Sequence, residues 1–307
     1  MRTVFFGTPR WAVPSLDALR ASNIEVAAVV TNPDRAAGRG MQLRASPVKQ
    51  RALELGLDVL QPQRARAPEF HDELRKLAPE VGTVVAYGQI LPGSLLAVPP
   101  LGFVNAHFSL LPEYRGAAPV QRVVMDGRAT TGISIMVLTE GMDEGPVLNT
   151  VEEPVLEDDT AGSLGDRLAK LAGPLLVDAL TAWSSGTLEP VEQDHERASY
   201  ASKITTEEAR IDWREPAVAI RNQVRGLNPA PGAWTTLRAK RAKVLTAEIL
   251  GDEGLAPGEI TARGTSLLAG TGDDALRITR LQLQGKKETS GKEAARGLRL
   301  APGERFE

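Results

Sequence analysis

GFVNAHFSLLPEYRG, residues 102–116, changes character half-way along. It begins as a short apolar run behind a glycine, the texture of a buried strand, and ends as a loop carrying polar groups, Leu-Leu-Pro and Arg-Gly. Similar apolar runs stand at 2–7 (RTVFFG), 24–31 (IEVAAVVT), 81–88 (VGTVVAYG) and 132–139 (GISIMVLT). Helical patterns lie between them. Leu16 and Leu19 are at helical spacing in SLDALRA, and SPVKQRALELG (46–56) has Ser at the N-cap, Pro at the first helical position and Gly at its end. Strands alternating with helices predict an α/β domain, Rossmann-like, with a mostly parallel sheet covered on both faces. A dinucleotide is not expected in it: GTPRWAVP after the first run has the wrong spacing for GxGxxG and two prolines, and there is no Walker A sequence.

Further along, residues 163–182 read as a long helix. The polar stretch that follows, with Gly and Pro and no sustained periodicity, reads as a linker over 186–206. Beyond 215 one helix (AVAIRNQVRGL) precedes short alternating stretches: GAWTTL, AKVLTAEIL, GEITA and ALRITRLQL. These predict a small β domain of barrel type. The expected layout is thus a catalytic domain over 1–185, a linker over 186–206 and a β domain over 207–307.

Composition narrows the possible chemistry. The 307 residues are 42% hydrophobic and 24% charged, within the range of a globular protein. With no cysteine, disulfides, thiolate metal sites and thiol nucleophiles are excluded. No apolar run approaches a membrane span, and MRTVFFGTPR lacks the features of a secretory signal, so a cytoplasmic location is expected. Net charge is −3, but it is unevenly placed. Residues 201–307 hold 18 Lys and Arg against 14 Asp and Glu, a net +4, which leaves −7 on the first 200. Between Arg221 and Lys243 there are six basic residues and no acidic one.

In open sheets of this kind ligands bind beyond the carboxyl ends of strands. GFVNAH places Asn105 and His107 at such an end, and strand alternation puts both on one side. An amide donor and an imidazole facing one small volume suit a developing oxyanion and a proton in transit. The leucines of SLLP suit an apolar floor for a flat heterocycle. TEGMDEGPV (139–147) follows another strand and offers Asp143 between glycines, a carboxylate able to orient an imidazole. Taken singly, such a His is more often a satisfied polar residue and such an Asp a turn former. As a set they point to an α/β enzyme that transfers a group through a tetrahedral intermediate.

The set resembles a known family. Asn105-X-His107, then SLLP, then YRGAAPVQR, then an Asp in a Gly-flanked loop is similar to the formyltransferases that use 10-formyltetrahydrofolate. TNPDRAAGRGMQLRASPVK (31–49), ARIDWREP (209–216) and GLNPAPGAWT (226–235) resemble the branch that formylates methionyl initiator tRNA, and the likeness covers essentially the whole chain. Phe108, where a small residue is frequent, and Ala106, where a branched one is, depart from the commonest pattern. The resemblance implies an OB-like second domain and catalysis by Asn105, His107 and Asp143. It also implies folate contacts at Ser109, Leu110, Leu111 and Pro112, with 10-formyltetrahydrofolate as formyl donor and no metal or nucleotide. The expected partners are initiator methionyl-tRNA and folate, with no membrane and no obligate protein partner. Arg39 would be the key contact of a basic loop with Arg35 and Arg44, while Lys240, Arg241 and Lys243, within the basic stretch 221–243, would meet phosphates. Three other readings stay open: an aminosugar formyltransferase, a non-catalytic RNA-binding module, and a folate hydrolase. The first would not need a basic second domain, the second would not keep the three polar residues, and the third usually carries a different small domain.

Overall fold

In a computed structural model, which describes residues 1–37 and 42–307, the chain divides into two compact units. The first comprises Met1–Pro119, Thr130–Pro154 and Gly165–Ala201. Its strands are β1 (Arg2–Gly7), β2 (Glu25–Val30), the short hairpin β3 (Arg35–Ala37) and β4 (Gln42–Arg44), β5 (Val59–Leu60), β6 (Val81–Val85), β7 (Phe103–His107), β8 (Thr130–Val137) and β9 (Val147–Pro154). Seven of them form one sheet in the order β5-β2-β1-β6-β7-β8-β9. Helices α1 (Val13–Ala21), α2 (Pro47–Glu54), α3 (Pro68–Lys76) and α4 (Gly93–Leu96) punctuate the strands, while α5 (Pro119–Met125) falls in the second unit from Val120 on and α6 (Ala161–Ser184) in the first from Gly165 on. Local chemistry starts α2 where the sequence places it: the Ser46 side chain accepts from the Lys49 N–H, with Pro at the first turn.

Period-2 alternation decides the core. Val4 and Phe6 of β1 share a face with Ala28, Val30, Val84 and Phe103, and α3 adds Phe70 and Leu74. Phe6 meets Phe70, Tyr87 and Phe103 edge-on, with centroids 6.2, 5.3 and 5.3 Å away. Each such ring contributes roughly 1.5–3 kcal/mol by leaving water. Gly82 has no choice of side chain, since a Cβ there would stand 2.2 Å from the Phe103 ring. Burial also pushes the Tyr87 phenol up to about 12.

The sheet is mostly parallel, as expected, except at one edge. β1 pairs in parallel with β2 and β6, β2 with β5, and β6 with β7. β8 runs antiparallel to β7, and β9 antiparallel to β8. The connection from β7 stays at the His107 end, because Ser134 of β8 pairs with His107 and Val137 with Val104.

The second unit gathers Val120–Ala129, Val155–Leu164 and Ser202–Glu307. It contains α7 (Ala217–Gly226), β10 (Ala233–Leu237), β11 (Lys240–Leu250), β12 (Ile260–Arg263), β13 (Ser266–Gly270), β14 (Ala275–Leu283), β15 (Thr289–Ser290) and α8 (Gly291–Gly297). Five strands run antiparallel in the order β10-β11-β14-β13-β12, and β15 pairs with β14. Residues 304–307 join the two outer strands. The Ile260 N–H donates to the Glu304 carbonyl at 2.8 Å, and Thr236 and Glu307 exchange both backbone bonds at 3.0 Å. The sheet is thereby closed as a barrel, which removes its edges. Inside lie Ile211, Trp213, Ile220, Val244, Leu276 and Phe306, with Trp213 and Phe306 stacked at 5.1 Å.

Arg122 donates to both oxygens of Glu208 and to the Ser202 carbonyl, holding the Glu208 carboxyl below its usual value of 4.5. A depressed carboxylate contributes stability above its unfolded pKa and loses it as pH falls through the folded one. The pair is partly solvated, so its worth is about 1 kcal/mol. Glu208→Gln should lower the melting midpoint by about 2–4 °C near pH 7, with the gap to the parent narrowing below 4.5. Circular-dichroism melts from pH 7 downward test this, and a gap that does not change with pH would contradict it.

Candidate active site

Asn105 and His107 lie two residues apart on β7, in unbroken register with β8, so their side chains share one face. Both are buried, at 8% and 6% exposure. His107 Nε2 is 2.9 Å from the Tyr114 carbonyl oxygen. A carbonyl only accepts, so Nε2 carries a proton. The other ring nitrogen, Nδ1, faces Asp143 Oδ2 at 3.6 Å, longer than a hydrogen bond.

Asp143 arrives by a route the sequence does not disclose. The sequence leads one to expect neighbouring carboxyl ends on two strands. Because β8 is antiparallel, its carboxyl end at Val137 lies beside Val104, not beside His107. Loop 138–146 must therefore fold back to bring Asp143 to the imidazole. Asp143 takes a left-handed φ of 52° to do so. Gly145 allows the close return, since a Cβ there would stand 2.0 Å from the Val137 carbonyl oxygen. The carboxylate is fixed by the Gly116 N–H, which donates to Oδ2 at 2.8 Å.

Residues whose sequence reads as linker complete the support. Residues 191–201 belong to the first unit, and Ser202 begins the next stretch of the second. Val191 exchanges backbone bonds with Val147, the Arg115 N–H donates to the Ser199 carbonyl, and the Ala201 N–H donates to the Arg115 carbonyl. Gln193 and Arg115, 7% and 2% exposed, are hydrogen-bonded to each other. Arg115 falls within the motif YRGAAPVQR, but nothing in the sequence ties it to Gln193, which sits in a polar run that resembles any connector.

The SLLP loop is braced from beneath. Ser109 is fully buried and its hydroxyl donates to the Glu113 carbonyl at 2.6 Å, while Ser134 Oγ donates to the Ser109 carbonyl and accepts from the Leu111 N–H. Ser109 thus shapes the loop, and Leu110, Leu111 and Pro112 remain partly accessible. Leu110 occupies space that a Cβ on Gly132 would need, at 2.5 Å. Phe108 packs against Trp11, with centroids 6.3 Å apart and rings near parallel, and Ala106 is buried. Among the described residues, no group of three or more His, Cys, Asp or Glu side chains is placed to hold a metal ion.

The basic residues separate into two kinds. Lys49 donates to Asp34 and Gln61, and Arg51 to Asp17 and Glu54. The Lys49 bond, then that of Gln61, holds the Asp34 carboxyl below its ordinary value. Arg35 and Arg44 instead face each other as a cross-strand pair on the exposed β3–β4 hairpin. Arg39 lies outside the described residues. In the second unit Arg221 and Arg225 bond to the 156–159 loop and Arg238 to Glu304. Lys240 is exposed, the Lys243 ammonium donates to the Pro231 carbonyl, and the Arg241 guanidinium stacks 4.0 Å from the Trp234 centroid. The basic stretch 221–243 is therefore not uniform: Arg221, Arg225 and Arg238 are engaged with carboxylates and carbonyls of their own unit, while Lys240, Arg241 and Lys243 keep N–H groups to offer.

Comparison with known proteins accounts for both units. Residues 1–180 match the family model described as formyl transferase, and 203–299 match that described as formyl transferase, C-terminal domain. A methionyl-tRNA formyltransferase of Streptomyces coelicolor is 50% identical over 99% of both chains. One from Thermobifida fusca is 48% identical, over 100% of this chain and 99% of its own. The fold is shared with HypX from Aquifex aeolicus, solved with tetrahydrofolic acid (18% identity, TM-score 0.66, 97% of this chain and 47% of that one). It is shared too with an N-formyltransferase from Helicobacter canadensis (17% identity, TM-score 0.66, 90% and 97%). Two family matches in series, and identity near one half over almost the full length of such relatives, place this chain in the methionyl-tRNA formyltransferase family.

Proposed function

We propose that this protein, acting in the cytoplasm, moves the formyl group of 10-formyltetrahydrofolate to the α-amino group of methionyl initiator tRNA. The observation that carries the chemistry is the meeting of Asn105, His107 and Asp143 in the first unit, from a strand and a loop that enters against the strand direction. Bound folate supplies the formyl carbon attached to N10; the bond to the methionyl nitrogen forms and the bond to N10 breaks. Asn105 donates its amide N–H to the oxygen on which negative charge develops. His107 Nε2 is held by Tyr114, so the ring can donate to that oxygen only through Nδ1, as an imidazolium. Asp143 stabilises that positive ring, orients it, and takes the proton that the attacking amine loses on its way to N10. Leu110, Leu111 and Pro112 offer the folate ring an apolar wall and backbone polar groups.

The tRNA reading rests on the cations with N–H groups to spare. Like charges directly opposite across a hairpin are unfavourable, so Arg35 and Arg44 gain when an anion lies between them. In the tRNA-binding domain, assigned to residues 207–307 within the second unit, stacking on Trp234 leaves the N–H edges of Arg241 open to phosphate, alongside Lys240 and Lys243. Arg39 is assigned to selectivity, on the resemblance alone. Incubation with 10-formyltetrahydrofolate and charged initiator tRNA should yield formylmethionyl-tRNA, and no product would reject the proposal. Arg39→Ala should reduce formylation of initiator more than of elongator methionyl-tRNA; equal losses on both would make Arg39 an ordinary phosphate contact.

A further inference from the structure

We propose that Gln193 is a positioning residue that sets the Asp143 carboxylate against His107; this rests on the reading of those two residues given above. Four hydrogen bonds converge on its buried side chain. Arg115 Nε and Nη2 donate to Oε1 at 3.1 and 2.8 Å. The Gln193 amide Nε2 donates to the carbonyls of Asp143 and Gly145 at 2.9 and 2.7 Å. All donors and acceptors of the amide are used, and its orientation is unambiguous: turned over, it would set N–H against guanidinium and oxygen against two carbonyls. Arg115 is itself pinned through its backbone to Ser199 and Ala201. Gln193 thus links a fixed, fully buried cation to the backbone of the one loop that must fold back.

That loop needs such a hold. Asp143 sits at positive φ, a conformation that costs a non-glycine residue energy and persists only where its surroundings impose it. Its side chain is fixed at one point, the Gly116 N–H, and its carbonyl at another, Gln193. Released at the carbonyl, the residue can relax its backbone and withdraw its carboxylate. A misplacement of about 1 Å in a reacting group costs on the order of 10²-fold in rate.

Two substitutions test this in the full-length protein. Gln193→Glu keeps the partnership with Arg115 but turns a carboxylate oxygen toward two carbonyls; Gln193→Met removes both interactions at similar length. Each should lower kcat by about 10–100-fold while leaving KM for folate and for tRNA within about twofold. The same substitutions are made in an Asp143→Asn background, where they should add almost nothing, because they act through a carboxylate no longer there. If Asp143→Asn alone leaves kcat at the parent value, the underlying reading fails. If Asp143→Asn is slow but Gln193→Glu is normal, only the positioning role fails. Multiplying losses in the double variants, a change confined to KM, or failure of both Gln193 variants to fold would each overturn the proposal and make Gln193 a structural residue.

Discussion

Replacing His107 with alanine should slow formyl transfer by about 10²–10³-fold, the usual consequence of removing one oxyanion donor from a site excluded from water. Asn105→Ala should cost a similar factor. The two side chains lie on one face of β7 and are buried to almost the same degree, so neither can be replaced by solvent without rebuilding the strand end. Asp143→Ala should also lose most turnover, through the imidazole it faces at 3.6 Å. The three losses should not multiply, since the groups act on one transfer. Single-turnover formylation at saturating folate reports the step itself, and a nitrocellulose-filter titration reports tRNA affinity. The expected pattern is slow chemistry with unchanged binding. A near-normal single-turnover rate in His107→Ala would remove the imidazole from the reaction.

Neutralising Lys240, Arg241 and Lys243 together should give the opposite pattern. Every phosphate left without its cation flattens the log–log dependence of affinity on salt by about 0.7–0.9, hence about 2.1–2.7 for three phosphates. Over a fourfold rise in salt, that is about a 20–40-fold difference in how far affinity falls. Initiator and elongator tRNA should be affected alike, because phosphate carries no sequence. Formylation at saturating tRNA should be unaffected. Arg241 is expected to contribute most: its plane rests on Trp234, so its donors are oriented before tRNA arrives, whereas one N–H of Lys243 is already given to Pro231. An unchanged salt slope would place the phosphate-binding cations elsewhere.

Elements that depend on local order are legible in the sequence. β1, β2, β6 and β7 stand out as apolar runs, and α2 as a Ser-Pro start with a glycine end. Asn105 and His107 are legible for the same reason: period-2 alternation along one strand needs no knowledge of its neighbours. The direction of β8 is not, because a strand buried on both faces has the same composition whichever way it runs. β9 alternates with charged residues and β13 is the short run SLLAG; neither stands out from its surroundings. Asp143 can be nominated from sequence but not placed, since its position depends on that unread strand direction. Gln193 is invisible there, as its role consists of partners about fifty or more residues away.

The order of the pieces along the chain has a consequence for synthesis on the ribosome. The second unit draws on 120–129 and 155–164, which are translated well before its main body, Ser202–Glu307. At about 5–20 residues per second, those last hundred or so residues take roughly 5–20 s to appear. Throughout that interval Met125, which in the finished protein packs against the barrel core, has no barrel to pack on. The nascent chain therefore carries two stretches awaiting a partner that does not yet exist, and this interval, rather than the completed fold, is when the molecule is most open to chaperones and to aggregation.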